Sequence, residues 1–188
     1  MNCTPKKRTR CLGFVSVIKL GVDKPITFQF QSEQKKKKKI IKLLGLALHG
    51  KSGRSKSGWE MGLRTLHFSP QMEKQLTVLT QNKSRSQQQA KMLELKVYQI
   101  HQDQICELPS NATVLASSKN CPIEMFEVDG IVLGMQGHPE FSQEYIKEEI
   151  EATRTSEIDQ VCQDALKEVS QEKPDPEVFK TFLCNWLK

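Results

Sequence analysis

The dipeptide Asp129-Gly130, set between the apolar runs Ile123 to Val128 and Ile131 to Gln136, restricts the fold more than any other local feature. A two-residue type I′ turn needs positive φ at both central positions, which aspartate tolerates and glycine adopts freely. The two runs are therefore predicted to pair as an antiparallel hairpin. Val97 to His101 and Ala112 to Ser118 have the same strand-like composition, and Pro109, Asn111 and Pro122 punctuate the series. The hairpin's second strand ends in Gly134-Met135-Gln136-Gly137-His138-Pro139-Glu140. Three helical stretches follow, at Ser142 to Thr153, Glu157 to Val169 and Pro176 to Leu187. In the last, Val178, Phe179, Phe182, Leu183 and Trp186 recur at helical spacing and read as core residues.

Upstream the signals are weaker. Leu63 to Phe68 reads as a strand and Pro70 to Leu76 as a short helix, with Ser69 as N-cap and Pro70 at the first helical position. Asn82 to Gln89 reads as a polar loop. Ile40 to Leu48 is a dense apolar run, strand or helix, leading into a loop with Gly50, Gly53 and Gly58. Residues 1–34 mix basic and apolar side chains and offer at most one short strand, around Leu12 to Ile18. The chain thus divides into a basic segment, 1–39, and a folded domain, 40–188.

With 188 residues, 37% hydrophobic and 27% charged, the composition is that of one soluble domain. No apolar run approaches the roughly 18 residues that span a bilayer, so no membrane association is expected. The basic start at Met1 to Arg10 is followed by no small-residue cleavage site, and the six scattered cysteines form no CxxC pair or dense framework, which places the protein in the cytosol. The net charge of +6 comes from one end of the chain, since Glu124 to Glu177 is acidic. Lys35 to Lys39 reads as a solvated run, because no aromatic residue interleaves to stack on bases, and a nucleic-acid partner is not expected.

The string at 138–140 carries the chemistry. Proline biases His138 toward an extended backbone, and extended residues two apart point the same way, so His138 and Glu140 are expected side by side. Glu140 then accepts from one imidazole nitrogen and leaves the other free as a general base. Gly45 to Ser52 also fits G-x-x-x-x-G-K-[ST], a phosphate-cradling loop that should open a helix, yet Gly53 and Gly58 follow instead. The four histidines are isolated and no H-x-x-x-H or CxxC spacing occurs, so neither a metal site nor a cofactor is expected.

Taken in order, Gly53-Arg54-Ser55, Gly58-Trp59-Glu60-Met61-Gly62, Tyr98-Gln99-Ile100-His101-Gln102-Asp103, Leu108-Pro109, Val114 to Ser118 and Gly134 to Phe141 resemble the class I glutamine amidotransferases, the plant gamma-glutamyl peptidases above all. The resemblance implies an α/β fold: a mostly parallel, flavodoxin-like sheet with flanking helices and a C-terminal helical segment, here truncated. It implies a gamma-glutamyl small molecule or glutathione conjugate as substrate, His138 as base with Glu140 as its orienter, and His101, Gln102 and Asp103 near the substrate pocket. It also implies a G-x-C-x-G elbow, which should fall just upstream of Leu46.

No cysteine lies between Cys11 and Cys106. Either the elbow is deleted or Ala47 stands in the nucleophile's place, and impaired turnover is expected. Cys11 follows a basic stretch where a buried strand is required, while Cys106 and Cys121 are expected to be buried structural thiols. The resemblance would further supply about three βα units and an oxyanion-hole loop before residue 40, which residues 1–34 do not provide. A truncated or mis-spliced product, a non-catalytic binding or assembly protein, and half of a paired assembly all fit this pattern.

Overall fold

The computed structural model describes residues 15–18, 26–28, 50–81, 95–174 and 176–186. In order these form β1 (Val15–Ile18), β2 (Ile26–Phe28), β3 (Lys51–Arg54), β4 (Glu60–Phe68), α1 (Pro70–Gln81), β5 (Leu95–His101), β6 (Asp103–Glu107), β7 (Ala112–Ser117), β8 (Met125–Val128), β9 (Val132–Met135), α2 (Gln143–Thr153), α3 (Asp159–Gln171) and α4 (Pro176–Trp186). Seven strands make one sheet in the order β2-β1-β9-β8-β7-β4-β5, and β3 pairs separately with β6. The expected α/β arrangement with flanking helices and a C-terminal helical segment is present.

Two strand expectations change. Every described ladder is antiparallel, not mostly parallel. Parallel neighbours need a crossover of a dozen or more residues, whereas β7, β8 and β9 follow one another through short connections. The segment before residue 34 supplies two short strands, not one, and β1 pairs with β9 in the main sheet.

Local chemistry explains several boundaries. Asp129 and Gly130 have φ of 52° and 67°, as the β8–β9 hairpin requires. The Ser69 hydroxyl accepts from the Met72 amide at 3.3 Å, satisfying an orphan donor of α1. That helix runs to Gln81, past the expected end at Leu76. The Lys35 to Lys39 run, Cys11, residues 82–89 and residues 40–49 with Ala47 lie outside the described residues. Lys51 and Ser52, the end of the phosphate-loop pattern, lie in β3 paired with β6 instead of opening a helix.

The core has two layers. On one face Leu66, Leu95, Val97, Leu115, Met125 and Leu133 meet Met72 of α1 and Phe179 and Phe182 of α4. On the other, Met61, Leu63, Tyr98 and Ile100 meet Ile146 and Ile150 of α2 and Cys162, Ala165 and Val169 of α3. β5 shows the two-residue period cleanly, Leu95 and Val97 facing one layer and Tyr98 and Ile100 the other. Gln99 and His101 continue the first face, where the apolar packing gives way to polar side chains. No described helix is long and apolar enough to cross a membrane.

Candidate active site

His138 follows the end of β9 and bridges to β5, its amide donating to the Tyr98 carbonyl at 2.8 Å. Close approach to β5 depends on Gly137. A Cβ there would lie 2.7 Å from Val97 Cγ1 and 2.8 Å from Gln99 Nε2. After His138 the chain turns, with the Phe141 amide donating back to the His138 carbonyl at 3.3 Å. The expected His138–Glu140 pair therefore forms through a turn, and not through continued extended backbone. Phe141 stacks on the imidazole with centroids 4.0 Å apart, and Ser142 next caps α2 by accepting from the Tyr145 amide at 3.1 Å.

His138 Nδ1 lies 2.8 Å from Glu140 Oε1. A carboxylate there accepts from Nδ1–H and leaves the Nε2 lone pair available. That nitrogen is buried and has no hydrogen-bond partner among the described residues. The pair thus has the geometry of a general base held in one tautomer by an orienting carboxylate.

The string 101–103 splits across the surface of the fold. His101 is fully buried, and neither ring nitrogen makes a well-formed hydrogen bond. Burial pushes its pKa down to about 3, with help from the nearby charges of His138 and Arg64 and only weak opposition from the Asp103 backbone. The ring is neutral at ordinary pH. Gln102 is half-buried, its carbonyl accepting from the Ser55 amide at 2.7 Å. Asp103 turns away toward β3, where Arg54 Nε lies 3.3 Å from Oδ1.

Register places Glu60 directly across from His101. Glu60 Oε2 lies 3.5 Å from His101 Nε2, while Oε1 accepts from Ser118 Oγ at 3.2 Å and has Arg64 Nε at 3.5 Å. Because His101 is neutral, this contact is no ion pair. Glu124 is 1% exposed and accepts from Gln99 Nε2 at 2.7 Å. Burial first, and the Glu60 charge second, raise the Glu124 pKa to about 7, and burial raises Glu60 as well. Cys121 completes the group, its thiol pushed up by burial.

Sequence reasoning placed Glu60 and Gln99 only in matched strings and gave Glu124 no role. A lone carboxylate in Ile123-Glu124-Met125-Phe126 was the available signal, since buried glutamates are rare unless paired. The expectation of no metal site rested on spacing along the chain, which cannot detect a group assembled from separate strands. Cys121 is buried as expected, but Cys106 is exposed on β6, because that strand pairs only with the exposed β3.

Comparison with known proteins identifies the family and the fold. Residues 43–156 match the family description "Glutamine amidotransferase class-I". Gamma-glutamyl peptidase 3 of Arabidopsis thaliana is 30% identical over 141 residues, covering 74% of this chain and 54% of the relative. Gamma-glutamyl peptidase 5 of the same plant is 30% identical over 171 residues, covering 81% and 61%. The crystal structure of a glutamine amidotransferase from Thermotoga maritima superposes with a TM-score of 0.54 at 17% identity, covering 78% of this chain and 59% of that one. The chain spans a little over half the length of the curated relatives it matches.

Proposed function

This chain belongs to the class I glutamine amidotransferase family, and from that premise we propose that it recognises gamma-glutamyl amide bonds, of the kind in glutathione conjugates, and cleaves them with impaired turnover. The observation that carries the reading is the His138 Nδ1 to Glu140 Oε1 contact of 2.8 Å with Nε2 left unpartnered. Such an imidazole can take a proton from a thiol or a water, and Glu140 offsets the positive charge that results. The partial exposure of Gln102 and Asp103 supports the reading of them as the substrate-contacting members of their string, with His101 buried behind them. Turnover is impaired because no cysteine lies between Cys11 and Cys106, and burial raises the Cys121 and Cys162 thiols, which disfavours a free nucleophilic thiolate at either.

Incubation of the full chain with a gamma-glutamyl amide, followed by intact-mass and product analysis, tests this reading. Binding, slow hydrolysis lost in His138→Ala, and no acylated cysteine are expected. Failure to bind any gamma-glutamyl compound would reject the substrate class, and an acyl-thiol adduct would reject the impaired mechanism. The missing cysteine also supports a second reading, a binding or assembly protein without turnover. Hydrolysis that survives Cys11→Ala and disappears in His138→Ala would count against it.

A further inference from the structure

Glu60, Cys121 and Glu124 come from β4, the β7–β8 connection and the residue preceding β8, yet their ligand atoms all lie within 4.8 Å of one another. None is more than 3% exposed. Two carboxyls and a thiol gathered away from water are costly unless a cation or hydrogen bonds compensate them. The compensation among the described residues is incomplete. Gln99 satisfies one oxygen of Glu124 and Ser118 one oxygen of Glu60, but Glu124 Oε1 is buried without a partner. Arg64 approaches Glu60 only at 3.5 Å and shares its charge with Glu168, 2.9 Å away.

A second observation points into the same place. The fully buried His101 has no hydrogen-bond partner on either ring nitrogen, and its Nε2 faces Glu60 Oε2 at 3.5 Å. The ligand atoms of Glu60, Cys121 and Glu124 thus lie together with His101 beside Glu60; Cys121 Sγ donates only to the Ile123 carbonyl at 3.4 Å, and Glu124 Oε1 and His101 Nε2 are left without partners among the described residues.

We propose that Glu60, Cys121 and Glu124, with His101 at their side, form a buried structural site for a divalent transition-metal cation, zinc by preference. A mixed sulfur, nitrogen and oxygen set suits tetrahedral zinc, whereas magnesium and calcium favour oxygen alone. Ligand atoms around tetrahedral zinc are about 3.5 Å apart, inside the 4.8 Å that bounds the separations of the three ligand atoms here. Gln99 then orients the Glu124 carboxylate from outside. Loading displaces the Cys121 thiol proton and the proton that Glu124 holds near neutrality, and both leave to solvent. The site uses none of the residues of the His138–Glu140 pair, and a bound cation would tie β4, β5 and the approach to β8 together.

The test uses the full chain, treated with chelator, desalted and titrated with zinc by calorimetry, then loaded with cobalt for absorption spectroscopy. About one equivalent of zinc and a thiolate-to-cobalt charge-transfer band are expected. Cys121→Ser should abolish the band, Cys106→Ser should keep it, and Gln99→Ala should weaken affinity about 10–100-fold. Should Cys121→Ser fail to fold, Glu124→Gln, near-isosteric and lacking the charge, should still lower zinc affinity at least tenfold. Absence of stoichiometric zinc in the wild type would overturn the site. So would a cobalt band that survives Cys121→Ser, or affinity unchanged in Glu124→Gln.

Discussion

Gln99 donates to Glu124 at 2.7 Å, and the same amide nitrogen would sit 2.8 Å from a side chain placed on Gly137. One residue of β5 thus holds the buried carboxyl group and occupies the space that any side chain at Gly137, next to His138, would need.

Gly137→Ala should destabilise the fold by about 1–3 kcal/mol, because its Cβ would overlap Val97 and Gln99, both fully buried. Gly134→Ala should cost more. Its Cβ would lie 2.1 Å from the ring of Phe126, which is 3% exposed and has little room to rotate away. Urea unfolding midpoints check the order, and equal midpoints for the two variants would contradict it.

Stability should depend on pH through Glu124. Its folded pKa is raised from 4.5 to about 7, so the folded state holds the proton more tightly than the unfolded chain. The contribution is fully present below about 4.5 and is lost as pH rises through about 7, amounting to up to about 3 kcal/mol. Glu60 and Cys121 are raised in the same sense. With chelator present, the stability of Glu124→Gln relative to wild type should increase between pH 5 and pH 8. A constant difference would contradict the shift.

His101 works in the opposite direction. Its folded pKa is lowered from 6.5 to about 3, so the unfolded chain binds the proton more tightly. The associated stability is present above about 6.5 and is lost as pH falls toward 3. His101→Asn should flatten this acid limb in denaturation curves taken with chelator present. A limb unchanged in the variant would assign it to other groups.

The His138 tautomer is open to direct observation. Long-range proton–nitrogen spectra of the imidazole should show Nδ1 protonated and Nε2 bare at high pH, since Glu140 accepts from Nδ1. Glu140→Ala should let the two tautomers mix, and any gamma-glutamyl hydrolysis should fall about 10²–10⁴-fold. A spectrum insensitive to Glu140 would show that the carboxylate does not hold the ring.

Much of the fold was legible locally. Positive φ at Asp129 and Gly130, the cap at Ser69, and the burial of Phe179 and Phe182 follow from turn chemistry, capping and helical period. The His138–Glu140 pair was legible too, although a turn and not an extended strand brings it together. β3 and β6 were missed, because Lys51-Ser52-Gly53-Arg54 has no apolar period and becomes a strand only through its partner.

By itself, then, the sequence determined where the chain bends, which helix faces are apolar and that His138 and Glu140 lie in contact, since backbone sterics and side-chain reach act over a few residues. Tertiary structure decided that Glu60 lies opposite His101, that Cys121 is sealed in while Cys106 is left outside, and that Glu124 holds its proton near neutrality. Those properties depend on desolvation, and the segments that exclude water from each group come from distant parts of the chain.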